Sequence, residues 1–300
     1  LKKLEANMPN IVKMDALSFL KGLPDRSVDL LVTSPPYFMG KEYDRSCDVN
    51  DFVAIHDRLL SEVVRVTKNG GSICWQVGSH VQDNVVIPLD AVVYSVFSKS
   101  KELALRNRIV WTFGHGAHCP KRFSGRHETI LWFTKGKSYY FDLDAVRVPQ
   151  KYPGKKHYKG ERRGEPSGNP LGKNPGDVWD IPNVKAGHVE KTAHPCQFPV
   201  GLVQRLVKAL CPKGGHVIDP YLGSGSTAVA ALLEGCNFSG CDIHPKYLKI
   251  ARSRVTALRR GDLKIRPLDR PVHVPGPNDS VAKVPRDWIR SDASCQVGIK

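Results

Sequence analysis

Three things are scarce in this 300-residue sequence. The first is apolar length. No run approaches the ~18 residues that a membrane-spanning helix needs, and the longest candidate, Val85 to Phe97, is interrupted by Pro88 and Asp90. The N-terminal LKKLEANMPN has charges but no apolar core, so it does not read as a signal peptide. The second is paired cysteine. The 8 cysteines are scattered and form no CxxC, which suits reduced cytosolic thiols better than a zinc site or a disulfide framework. The third is acid. Only 29 Asp and Glu stand against 45 Lys and Arg, a net charge of +16. That imbalance calls for a polyanionic partner, nucleic acid or an anionic surface.

What is present alternates between short apolar runs and helical periodicity. Ile11 to Asp15, Val28 to Val32, Ser72 to Gly78, Arg108 to Phe113, Thr129 to Thr134, His216 to Ile218 and Asn237 to Cys241 read as strands. Leu17 to Leu23, Phe52 to Lys68, the second half of Asn84 to Lys101, Pro199 to Leu210, Thr227 to Glu234 and His244 to about Arg260 read as helices. Asn69-Gly70-Gly71 is expected to cap the Phe52 helix, because glycine accepts the left-handed conformation. The alternation predicts an α/β fold on a mostly parallel sheet with helices on both faces. From Arg147 to Lys173 the periodicity lapses; eight basic residues face two acidic ones among Gly and Pro. A loop-rich insertion over about 141–184 is expected there. Beyond the last helix the prolines recur, so residues 259–300 read as a tail and 1–258 as the main domain.

Two strand ends carry the chemistry. In VIDPYLGSGSTAVAALLEG a strand, a glycine turn and a helix follow one another. Gly223 and Gly225 permit a tight turn and close approach of a ligand, and the following helix aims free N–H groups at it. Asp242 ends the next strand, at a distance that suits a ribose hydroxyl pair. A dinucleotide and an adenosyl compound both remain open as ligands. A phosphate loop of the GxxxxGK[ST] kind is excluded, since no lysine follows. Asp219, before the turn, would repel a pyrophosphate and attract a cationic sulfonium or amino group.

The other end is DLLVTSPPY. Pro35 and Pro36 fix φ twice and supply no N–H. A hydroxyl from Ser34 and a rigid carbonyl from Pro35 offer two acceptors to an amine, and Tyr37 offers a flat face. That is a receptor for a planar ring with an exocyclic amine, such as adenine or cytosine.

Taken in order, DLLVTSPPY, HPCQFP and DPYLGSGST resemble the β-class amino-group DNA methyltransferases, whose motif order is circularly permuted. The resemblance covers roughly 11–255. It implies a Rossmann-like methyltransferase fold, S-adenosylmethionine as cofactor, double-stranded DNA as partner and no metal. On it, Ser34, Pro35, Pro36 and Tyr37 form the catalytic tetrad. Asp219, Pro220, Tyr221, Gly223, Ser224, Gly225 and Thr227 cradle the methionine part of the cofactor. Asp242 and Ile243 meet the ribose, and Asp15 and Ala16 the adenine. Thr192, His194, Pro195 and Gln197 close over the methionine end, and Phe123, Arg126 and Glu128 lie near the flipped base. Three departures occur: Phe198 where lysine is usual, Tyr221 for Phe, and Ser226 for the first of two threonines.

The resemblance further implies direct transfer of a methyl group to a flipped base. Ser34 points to cytosine N4, with adenine N6 as the alternative, because SPPY predominates among the family's N4 members and DPPY among its N6 members. The basic insertion over about 141–184 is the expected target-recognition region, and Arg126, Lys155, Lys156, Lys159, Arg162 and Arg163 are expected on DNA. A cognate restriction endonuclease, a monomer or homodimer, and residence at the nucleoid of a prokaryotic cytosol complete the expectation. Cys196, in HPCQFP, superficially suggests a cytosine-C5 nucleophile. It precedes a helix rather than following an apolar strand, so it is expected to pack. An inactive DNA-binding module of the same fold, an RNA methyltransferase and a nicotinamide dehydrogenase are the other classes open at this point.

Overall fold

The computed structural model describes residues 8–37, 48–82, 84–114, 116, 118–271 and 275–284. Ten strands and six helices are described: β1 (Asn10–Lys13), α1 (Ala16–Lys21), β2 (Val28–Thr33), α2 (Val49–Val66), β3 (Thr67–Val77), β4 (Ser79–Gln82), β5 (Val85–Pro88), α3 (Leu89–Phe97), β6 (Leu103–Thr112), β7 (His127–Lys135), β8 (Val178–Asp180), α4 (Val200–Leu210), β9 (His216–Asp219), α5 (Ser226–Leu233), β10 (Asn237–Asp242) and α6 (Pro245–Arg260). Eight strands form one sheet in the order β1-β10-β9-β2-β3-β7-β6-β8. The first five run parallel; β7 is antiparallel to both β3 and β6, and β8 is parallel to β6.

The sheet is covered on both faces, as the apolar strand composition requires. Leu31, Ile73, Trp75, Leu131 and Phe133 point to α1, α2 and α3. Leu30, Val32, Cys74, Ile130 and Trp132 point to α4, α5 and α6. Asp29 breaks the apolar run of β2 without being orphaned. Its Oδ2 accepts from Lys68 Nζ and from the His216 backbone N–H, each at 2.8 Å. β2 and β9 lie side by side, with Leu30 opposite Val217 and Leu31 opposite Ile218. Their carboxyl ends are therefore neighbours, at the point where chain order in the sheet reverses.

Three sequence expectations need correction. Asn69-Gly70-Gly71 does not cap α2. The helix stops at Val66, Thr67 Oγ1 donates to the Val63 carbonyl at 2.7 Å, and β3 begins at once against Val28. Strand pairing outweighs the glycine signal, and Gly70, at φ +83°, becomes a bend within β3. Ahead of α3, β4 and β5 pair as an antiparallel hairpin. The segment 141–184 is only partly a loop-rich insertion. Val146, Trp179, Ile181 and Val184 are buried, and β8 extends the sheet. The main unit does not end at 258. α6 runs to Arg260, capped by Gly261 at φ +80°, and the compact unit extends to Leu268. A second small unit follows, described over 269–271 and 275–284 with one 3₁₀ turn at Ser280–Ala282; the tail from Pro285 lies outside the described residues. Among the described residues no helix is long and apolar enough to cross a membrane.

One buried polar pair tests the packing under α2. His56 is fully buried; its Nδ1 donates to the Phe52 carbonyl (2.7 Å) and its Nε2 accepts from Trp75 Nε1 (3.1 Å). Burial pushes the imidazole down to about 4. A base held neutral in the fold contributes stability above its unfolded pKa, and that stability is lost as pH falls from about 6.5 toward 4. The expected outcome is that the stability gap between wild type and His56→Gln narrows by about 2 kcal/mol from pH 7 to pH 5. Denaturant titration of both proteins at the two pH values measures it.

Candidate active site

A cleft of about 600 Å³ opens across the carboxyl ends of the parallel strands. The tetrad after β2, the turn after β9, the acid at the end of β10 and the residues after β1 all line it. Ser34, Pro35, Pro36, Tyr37, Asp15, Ala16, His194, Pro195, Gln197, Pro220, Tyr221, Gly223, Ser224, Asp242 and Ile243 are thus brought together. Thr192, Asp219, Gly225 and Thr227 do not line the cleft.

Asp219 is buried without exposure and accepts three hydrogen bonds. Thr33 Oγ1 donates at 2.7 Å, Thr227 Oγ1 at 2.6 Å and the Tyr221 N–H at 3.0 Å. Burial nevertheless pushes its carboxyl up to about 6, against the pull of those donors. Its place is therefore behind the cleft wall. The carboxylate fastens the end of β2 to the start of α5 rather than facing a ligand.

The glycine turn is shaped by what surrounds it. At Gly225, φ is +79°, and an added Cβ would stand 2.8 Å from the Cβ of Ala251 in α6. At Gly223, φ is +50°, and an added Cβ would stand 3.0 Å from His194 Nε2. Two loops distant in sequence thus abut at Gly223. The Gly223 N–H donates to Asp242 Oδ2 at 2.9 Å, and the His244 N–H donates to Oδ1 at 2.8 Å. Asp242 is half-buried, its pKa raised by burial, and each oxygen retains a lone pair toward the cleft. Asp15 caps α1 by accepting from the Ser18 N–H at 2.9 Å; its hydrogen bond with the Ser18 side chain first, and this backbone bond second, lower its pKa. Thr192 Oγ1 donates to Gln197 Oε1 at 2.9 Å, inside the loop that carries His194. The His194 ring packs on Tyr247, centroids 4.3 Å apart.

Around the tetrad, the Tyr37 oxygen accepts from the Gly78 N–H at 2.8 Å and from Gln76 Nε2 at 3.3 Å. Ser34 adds a further hydrogen bond to it. Desolvation, then the nearby Glu128, raises the phenol well above its usual range, so Tyr37 stays neutral. Its hydroxyl end is enclosed while the ring remains partly open to the cleft. Gln76 Nε2 also donates to Glu128 Oε2, and both side chains line the cleft.

Other placements differ from expectation. Cys196 does not pack in the interior; it is exposed at the cleft. Phe123 is fully exposed and does not line the cleft. Arg126 Nη1 donates to the Gly125 carbonyl at 2.9 Å, and the side chain lies outside the cleft lining. Lys155, Lys156, Lys159, Arg162 and Arg163 are exposed on a small excursion closed by the Ser167 N–H to the Lys155 carbonyl (2.9 Å) and the His157 N–H to the Glu165 carbonyl (2.9 Å). From the 141–184 segment only Asn183 and Val184 reach the cleft. Sequence reasoning missed Gln76, whose one signal is an amide inside the apolar run SICWQV, and Tyr247, which has none. Among the described residues no His, Cys, Asp and Glu cluster is placed to hold a metal ion.

The fastening role of Asp219 generates a prediction. Thr227→Val keeps the shape but removes the donor to Oδ2. The expected cost is about 1–3 kcal/mol of folding stability, read as a lower denaturation midpoint with unchanged slope.

A family profile described as DNA methylase (N6_N4_Mtase) matches residues 28–253. The type II methyltransferase M.BglII of Bacillus subtilis is 45% identical over 82% of this chain and 68% of its own length. The DNA adenine methyltransferase YhdJ of Escherichia coli K12 is 31% identical, over 82% of each chain. Among solved structures, TTHA0409 of Thermus thermophilus complexed with S-adenosyl-L-methionine is 25% identical, with TM-score 0.61 over 89% of this chain and 100% of that one.

Proposed function

The chain belongs to the N6_N4_Mtase family of DNA methylases, and from that premise we propose that it methylates the N4 amine of cytosine in duplex DNA. The carrying observation is a juxtaposition. The acceptor pair Ser34–Pro35 and the glycine turn end neighbouring strands and open into one cleft. The methyl donor is S-adenosylmethionine, whose sulfonium supplies an electrophilic methyl group. The residues present fit it. Asp242 and Asp15 face the cleft as acceptors for hydroxyls and an amine, Gly223 leaves backbone room, and His194, Pro195 and Gln197 form the opposite wall.

The chain's own groups do three things. Ser34 shares a hydrogen bond with the Tyr37 hydroxyl, and its oxygen keeps a lone pair to accept an N–H from the target base. With the Pro35 carbonyl it draws the amine nitrogen toward sp3 and frees its lone pair. Positioning and electrostatics would then carry a direct displacement: the nitrogen takes the methyl group as the carbon–sulfur bond breaks, S-adenosylhomocysteine leaves, and the now acidic proton of the alkylated nitrogen passes through its hydrogen-bonded acceptors to solvent without a strong base. Tyr37, neutral and held by Gly78 and Gln76, presents its ring to a base taken out of the stack. The cations of the 155–163 excursion contact the phosphate backbone.

Cytosine rather than adenine rests on Ser34, through the likeness of SPPY to the tetrad of N4 enzymes. Adenine N6 is the second reading, favoured by the relative named an adenine methyltransferase. A restriction endonuclease with the same recognition sequence is the expected functional partner. The enzyme works as a monomer or homodimer on bacterial cytoplasmic DNA.

Two measurements check this reading. Duplex DNA incubated with labelled S-adenosylmethionine, digested and resolved into nucleosides, should yield N4-methylcytosine. N6-methyladenine moves the function to the second reading, and no incorporation refutes both. Separately, Lys155→Gln with Lys156→Gln should weaken DNA binding on all sequences and reduce the slope of log K against log salt by about 1–2. An unchanged slope would remove those lysines from the DNA contact.

A further inference from the structure

Arg254 in α6 is only 6% exposed, unusual for a guanidinium. Its Nη1 donates to the Ser224 carbonyl at 2.9 Å, to Ser226 Oγ at 3.0 Å and to Ser224 Oγ at 3.3 Å. Its Nη2 has no hydrogen-bond partner and lies 3.7 Å from Glu190 Oε2. The Glu190 side chain is fully buried. Its Oε2 accepts from the Val200 N–H at 2.9 Å, which starts α4, and its Oε1 from the Arg266 N–H at 3.1 Å. The Glu190 carbonyl accepts from Gln197 Nε2 at 2.8 Å.

The two charges therefore hold opposite walls of the cleft. Arg254 holds the glycine turn through Ser224 and Ser226. Glu190 holds the 190–198 loop, which carries His194 against Gly223. Neither side chain lines the cleft itself. A buried ion pair with one N–H group left unbonded is a poor source of stability, because desolvation offsets most of the attraction. Its geometry instead fixes the distance between two loops that no secondary structure connects.

We propose that Arg254 and Glu190 are positioning residues of the methyl-donor site, tying the glycine turn and the 190–198 loop together in the register the donor needs. This rests on the cofactor reading given above. The pair preforms the crevice, so its loss weakens donor binding more than it slows transfer.

Calorimetric titration of the full chain with S-adenosylhomocysteine tests it, alongside thermal midpoints and kcat at saturating S-adenosylmethionine. Arg254→Met should raise Kd at least about tenfold while kcat stays within about threefold. Arg254→Lys keeps the charge but not the forked donors; it should fall between, and serves if the Met variant does not fold. A lowered midpoint with unchanged Kd would mean a structural role only and overturn the proposal, as would a kcat loss at unchanged Kd. No binding by the wild-type chain would overturn the cofactor reading and this proposal together. Binding by wild type with unchanged affinity in both variants overturns this proposal alone.

Discussion

One carboxylate sets the register of the site. Asp219, with no exposed surface, binds Thr33 at the end of β2, Thr227 in the first turn of α5 and the N–H of Tyr221 in the turn between. β2 leads into the tetrad proposed to receive the target amine, and the turn after β9 is the proposed donor side. The two halves come from segments 186 residues apart in the chain. Strand pairing between β2 and β9 brings them together, and Asp219 fixes their relative position. The constraint is sensitive to protonation. All three partners donate, so the ionised form is the one that fits them. Burial has nonetheless moved the carboxyl up to about 6. By linkage, a carboxyl raised in the fold costs stability while it is charged, a cost present above about 6 and relieved as pH falls below it.

The rest of the cleft follows the same plan, with polar groups behind the wall orienting those at its surface. Gly78 and Gln76 orient Tyr37; Asp242 holds the Gly223 N–H; Glu190 and Gln197 hold the loop that carries His194. Methyl transfer between two bound partners needs little proton movement, so catalysis depends on how well the partners are held. A neutral tyrosine is consistent with that demand.

Much of this was legible in the sequence because it is local. SPPY imposes its own backbone, and Gly223 and Gly225 are needed for φ values that the surrounding residues cannot adopt. The parallel sheet followed from apolar runs alternating with helical periodicity. What stayed hidden depends on distant partners. Asp219 read as a ligand for a cation because nothing nearby in sequence announces Thr33. Glu190 and Arg254, 64 positions apart by their numbering, look like ordinary surface charges until the fold buries them. Gly70 carried a correct positive-φ signal, but its meaning as a strand bend rather than a helix cap came from pairing with β2. The hairpin β4–β5, four residues to a strand, is too short to announce itself.

The proposed acceptor and donor halves can act together only when fastened in one register. Thr33→Val removes one of the two hydroxyl bonds to Asp219, alters no cleft-lining residue and leaves Thr227 to hold the turn. Single-turnover methyl transfer at saturating DNA and S-adenosylmethionine is the direct measurement. The account predicts a rate lowered at least about tenfold, as expected when reacting groups are displaced slightly from attack geometry. A Thr33→Val enzyme that transfers at the wild-type rate would contradict it.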